Sequence, residues 1–117
     1  MDKISAALLD FSEPLVNALS EHAPQQARRE AIGLGVTLWN ALVALRLGEP
    51  AAFQATLAHC RSLPEPQGSV MATLVGQLVE RKMERHADDV RLVRDWKLTF
   101  RSDGEASLWA EAIVSRP

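Results

Sequence analysis

Hydrophobic positions along this chain follow one spacing up to Asp88 and another after it. Before Asp88 they recur every three to four residues, the period of a helix face. After it they alternate, the period of a strand. Arg94, Trp96, Leu98 and Phe100 share one side of the alternating run, with Asp95, Lys97, Thr99 and Arg101 on the other. Ser102-Asp103-Gly104 follows, and then a second alternating run through Leu108, Ala110 and Ala112. The pattern predicts one α+β domain over 1–117: a helical body, 1–87, of about four helices around a central apolar helix, then a C-terminal β-hairpin, 92–114.

The helices are delimited by their breakers. Ile4, Leu8, Phe11, Leu15 and Leu19 form one apolar stripe, interrupted by Ser12-Glu13-Pro14. Proline costs a hydrogen bond inside a helix but is tolerated in a first turn. The expectation is a short helix to about Asp10 and a new one capped by Ser12 to about Ser20, with a single kinked helix as the alternative. The central helix runs from Pro24 to Leu47, where Gly48-Glu49-Pro50 stops it. Its second half (Ile32, Leu34, Val36, Leu38, Trp39, Leu42, Val43, Leu45) is apolar on nearly every side, so other elements must surround it. Gly33 and Gly35 each cost ~1 kcal/mol against alanine there, which implies close approach by a neighbouring backbone. A third helix, Ala51 to Arg61, buries Phe53, Leu57 and Cys60, and Pro64 and Pro66 mark an exposed connection. Ser69 is expected to cap a fourth helix reaching His86, with Met71, Leu74, Val75, Leu78 and Val79 inward and the charged stretch from Glu80 to Arg85 solvated.

The hairpin register follows from the turn. A three-residue loop with Gly104 in the left-handed position pairs Leu98 with Leu108 and Trp96 with Ala110, gathering the apolar residues on one face. A two-residue turn would slip one strand and bring Trp109 onto that face. The three-residue loop leaves Trp109 and Ile113 on the outer face.

Composition narrows the classes. An apolar fraction of 47% in 117 residues supports one packed core, and a net charge of -2 provides no basic face for nucleic acid or anionic membrane. A single cysteine excludes an internal disulfide and fits a reducing compartment. Met1-Asp2-Lys3-Ile4 shows no signal-peptide pattern, so the cytoplasm is the expected location. The apolar stretch from Ala31 to Leu45 is shorter than the ~18 residues of a membrane span.

No catalytic, metal or phosphate signature stands out, and no cofactor is expected. His86-Ala87-Asp88-Asp89 could be part of a metal site. A helix-closing His86 with Asp88 or Asp89 capping the next turn is the stronger reading. His59 and Cys60 are adjacent on one helix and cannot face each other as a dyad. Cys60 falls on the Phe53/Leu57 stripe as a small buried hydrophobe. Asn40 sits in the most apolar helix, and its amide must find partners if buried. It either bonds a loop backbone or partner chain, or with Trp39 orients a small ligand; the structural role is the stronger. Thr37 is expected to bond its own helix backbone. The late basic residues Arg81, Lys82, Arg85, Arg91, Arg94, Lys97 and Arg101 are interleaved with acids, so nucleic-acid binding through them is disfavoured.

Thr37-Leu38-Trp39-Asn40-Ala41-Leu42-Val43 and His86-Ala87-Asp88-Asp89-Val90-Arg91-Leu92-Val93 resemble segments of small uncharacterised bacterial proteins. Those carry Trp-Asn on an apolar helix and Ala-Asp-Asp-x-Arg before a terminal hairpin. The resemblance implies the fold just described and transfers no activity.

A lone two-stranded hairpin is marginal in water, and its unpaired edges invite another chain. The expectation is a non-enzymatic cytoplasmic interaction or accessory module, self-associating or bound to a partner protein through Trp109, Ile113 and the neighbouring Lys97. A helical small-ligand binder with a pocket near Trp39 and Asn40 is the alternative. Weak nucleic-acid binding ranks behind both.

Overall fold

The period change becomes a change of architecture. The computed structural model of the chain describes residues 3–114. Met1, Asp2 and residues 115–117, which close the expected domain at its two ends, lie outside the described residues. Four helices, α1 (Ile4–Asn17), α2 (Gln25–Arg46), α3 (Ala51–Ser62) and α4 (Gln67–Arg85), precede an antiparallel hairpin of β1 (Arg91–Phe100) and β2 (Ala106–Val114). The all-round apolar α2 lies against α1, α3, α4 and β1. Its Leu38 and Trp39 are fully buried with Leu8 and Phe11 of α1 and Leu78 of α4. Burial of each such side chain stabilises the fold by about 1.5–3 kcal/mol.

The first helix corrects the expected break. α1 runs unbroken through Pro14, and Ser12 is buried within it rather than capping a second helix. Pro14 has no N–H to give the Asp10 carbonyl four residues back. Arg81 of α4 supplies the missing donor: its Nε donates to the Asp10 carbonyl oxygen at 2.6 Å. A long-range bond thus replaces the local one, and the helix continues.

Two smaller boundaries also move. α4 begins at Gln67 behind Pro66, so Ser69 lies inside the first turn and donates to Glu65 Oε2 at 2.5 Å instead of capping. α3 buries Cys60 fully but Phe53 and Leu57 only in part, because it packs against α2 and α4 and leaves its far side to solvent.

The close approaches to α2 come from side chains, not from a neighbouring backbone. A Cβ on Gly35 would collide with the Ser12 hydroxyl, and one on Gly33 would stand 3.3 Å from the Trp96 ring. The Ser12 residue is itself 0% exposed, and its hydroxyl makes no hydrogen bond among the described residues.

The hairpin has the three-residue loop. Leu98 pairs with Leu108 and Trp96 with Ala110, and Gly104 takes φ +86°. The alternation is interrupted by a bulge between Val93 and Asp95. Arg94, expected on the apolar side, is the extra residue and turns to solvent, while Val93 takes the buried place. A bulge shifts the pleat by one residue, which explains the correction.

Gly35→Ala is expected to lower stability by about 1–3 kcal/mol, because overpacking outweighs a helix-propensity gain of ~1 kcal/mol. Gly76→Ala in α4, where nothing lies within 4 Å of an added Cβ, is expected to raise stability instead. Urea unfolding of the two variants checks the pair. A Gly35→Ala protein as stable as the native chain would refute the close approach.

Candidate functional site

Adjacent residues of α2 hold the hairpin by its backbone. Trp39 is 0% exposed, and its indole Nε1 donates to the Arg91 carbonyl at 2.8 Å. Asn40 closes a two-bond ring with Val93: its Nδ2 donates to the Val93 carbonyl at 3.0 Å, and its Oδ1 accepts the Val93 N–H at 2.8 Å. The amide occupies the place of a third strand beside the first residues of β1. The expected structural role of Asn40 is what this geometry displays. Thr37 donates to the Gly33 carbonyl of its own helix at 3.0 Å.

Lys82 joins the same seam, against the expectation that this stretch of α4 is solvated. It is 5% exposed, with its Nζ 4.5 Å from the Trp39 ring centroid. The ammonium donates to the carbonyls of His86, at 2.5 Å, and Asp89, at 2.8 Å. It therefore ties down the turn between α4 and β1. Burial pushes its pKa below the ordinary lysine value, opposed by the charge of Asp89. Asp89 accepts the Arg91 N–H at 3.2 Å and grips the Arg91 guanidinium at 2.9 and 2.6 Å, so it serves as the expected cap of the turn. Asp88 is exposed.

A second polar cluster adjoins the first through His86, whose ring lies 5.5 Å from that of Trp39. The Asp10 carboxylate meets Arg81 at 3.1 Å, Arg85 at 2.8 Å and His86 Nε2 at 2.8 Å. Burial alone would raise the Asp10 pKa. The His86 hydrogen bond and the charges of Arg81 and Arg85 outweigh it and hold the carboxyl below its ordinary value. For Asp89, burial is likewise outweighed by the bonds and charge of Arg91 and the charge of Lys82. Sequence reasoning used Asp10 only as a helix boundary and Lys82 only as one of the late basic residues. An open cleft of about 310 Å³ lies nearby, lined by Ala7, Arg85, His86, Asp88 and Asp89 among others. Among the described residues, no group of three His, Cys, Asp or Glu is arranged to hold a metal ion.

The remaining candidates fall apart in space. Cys60 is buried in the core, whereas His59 on the same helix is exposed. Arg94 reaches Glu111 at 3.8 Å and Arg101 reaches Glu105 at 3.9 Å, so these late arginines face acids. Among the described residues, no helix is long and apolar enough to cross a membrane.

The hairpin's outer face is different. Trp109 is 52% exposed and Ile113 47%. Lys97 pairs directly with Trp109 across the strands and is exposed beside it. The three residues expected to form an interface share this solvent-facing side. Compared with protein-family models, with curated proteins and with solved structures, the chain finds no match in any of the three.

Two outcomes follow. Asn40→Ala leaves the Val93 N–H and carbonyl without partners and is expected to cost about 1–3 kcal/mol. It should also speed amide exchange at Val93 before the helices open. Unchanged exchange there would show that the amide is not what holds β1.

The depressed Asp10 and Asp89 values stabilise the fold above the ordinary carboxylate range of about 3.9, and that contribution disappears as pH falls through the folded-state values. Asp10→Asn and Asp89→Asn should therefore be less stable than the native chain at neutral pH and converge with it in acid. Denaturant melts against pH measure this; parallel curves would remove the assignment.

Proposed function

We propose that the protein is a non-enzymatic interaction module, accessory to a larger protein or to further copies of itself, with the outer hairpin face as its contact surface. The exposure of Trp109 carries the reading. Soluble chains scatter single apolar residues over their surfaces, and Met83 on α4 lies in a groove with Leu42, Leu45 and Val79. Trp109 stands instead on a strand of a two-stranded sheet, in line with Ile113, and its body is of the aromatic type enriched in protein interfaces. The neighbouring Lys97 adds a cation that a partner's acid or aromatic ring would meet. The lone Cys60 supports a reducing, cytoplasmic setting.

The fold spends its buried polar groups on structure, which also supports a non-catalytic role. Trp39, Asn40, Lys82, Asp89 and Arg91 bond one another or the backbone of β1 and its leading turn.

The test is retention from lysate of the protein's own cells, with Trp109→Ala/Ile113→Ala as the control. Proteins held by the native chain, its own copies included, should be lost from the double variant, whose melting temperature stays unchanged. Identical retained sets from the two chains would end the reading.

A further inference from the structure

The two edges of the hairpin are not alike. β1 carries the devices that keep a sheet edge from pairing. It is bulged between Val93 and Asp95, and it holds four charged residues, Arg91, Arg94, Asp95 and Lys97. Its first outward-facing groups are already taken, the Arg91 carbonyl by Trp39 and the Val93 N–H and carbonyl by Asn40. Val93 and Leu98 are buried.

β2 has none of this. It runs nine residues without a proline, and Glu111 is its one charge. No residue of β2 whose side chain is described is buried. In an antiparallel ladder, residues alternate between those bonded to the partner strand and those whose groups face away. Val93 faces Asn40, so its partner Ala112 faces outward on the opposite edge. Counting from the loop, where Arg101 N–H donates to the Glu105 carbonyl at 2.8 Å, gives the same phase. Ala106, Leu108, Ala110 and Ala112 thus present their N–H and carbonyl groups to the free edge. Among the described residues, no hydrogen bond reaches those groups from elsewhere in the fold.

We infer that the occupant of this edge is β2 of a second copy, joined antiparallel about a twofold axis close to Ala110, so that two hairpins form one four-stranded sheet. The inference rests on the interaction reading above and names its partner. The outward N–H and carbonyl groups of an antiparallel strand are self-complementary about a twofold axis, so a second copy of β2 presents the matching edge. Centred on Ala110, the pairing uses all nine residues of β2. It bonds Ala110 to its own counterpart and Leu108 to Ala112 of the second copy. It also sets Glu111 opposite Trp109 of the second copy, so the single charge of the strand never meets itself. The two Trp109 side chains then lie diagonally across the seam on the outer face, within reach of each other.

Amide hydrogen exchange on the native chain tests this, read residue by residue at concentrations on either side of the association midpoint found by sedimentation. The amides of Leu108, Ala110 and Ala112 should exchange slowly at the higher concentration and speed up on dilution, while Val93 and Leu98 do not change. An associated species in which those three amides stay fast overturns the inference, as does a chain that remains monomeric throughout.

Ala110→Pro removes one outward N–H and no bond to β1, so it should yield a folded monomer. If that variant unfolds, exchange on the native chain still decides. A monomer that retains a Trp109-dependent partner removes only the strand pairing. A chain that neither associates nor retains such a partner removes the interaction reading as well.

Discussion

The Trp39 indole is the constraint from which the rest of this structure follows. Phe11 of α1 meets it edge to face, with ring centroids 5.4 Å apart at 82°. The His86 ring at the end of α4 stands 5.5 Å away, and the Lys82 ammonium lies over its face. Its one polar atom holds β1 through the Arg91 carbonyl. Three helices and the hairpin therefore share a single side chain. Edge-to-face and cation–π geometry each add of order 1 kcal/mol to the burial of so large a ring. What matters more is direction: the indole N–H points one way, and that way fixes where the first strand must enter.

The polar groups around this ring complete one another. A buried lysine is costly unless its charge is answered, and a chain reversal at a helix end leaves carbonyls without donors. Lys82 meets both needs, since its ammonium donates hydrogen bonds to the carbonyls of His86 and Asp89. Asp10 and Arg81 follow the same logic. The carbonyl that Pro14 strands is taken by Arg81, and the cations drawn to that place are balanced by the Asp10 carboxylate. Removing one partner from such a set costs more than the pair contributes, because the other is left buried and unanswered.

The period change located the passage from helices to hairpin, and the three-residue loop located the register, because both depend on local spacing and backbone geometry. What escaped was long-range. Pro14 reads locally as a break; only Arg81, far along the chain, makes the unbroken helix affordable. Ser12 looks like a cap until Gly35 is seen to receive it. A bulge leaves no signature in an alternating run beyond an arginine on the wrong side, and Arg94 was that sign. Lys82 was legible in part: it follows Val75 and Leu78 on one helical stripe, at i+7 and i+4, and the run of charges around it masked the position. Asn40 was readable as a demand for partners, but not as an amide standing in for a strand.

That stand-in also gives the hairpin its asymmetry. Asn40 and Trp39 take the outward groups at the start of β1 and the Asp95 side chain takes the Trp96 N–H, whereas no such bond reaches the outward groups of β2 among the described residues. The inner positions of β2, Leu108, Ala110 and Ala112, are committed to packing on the helices and so report on folding. The outer positions Ser107, Trp109, Glu111 and Ile113 are under no such demand, and any polar residue would serve the fold there. A tryptophan and an isoleucine in two of those four places suit a strand by propensity and leave apolar area on its solvent side. The contact surface proposed above would use both, on the strand whose outward backbone groups no hydrogen bond fills among the described residues.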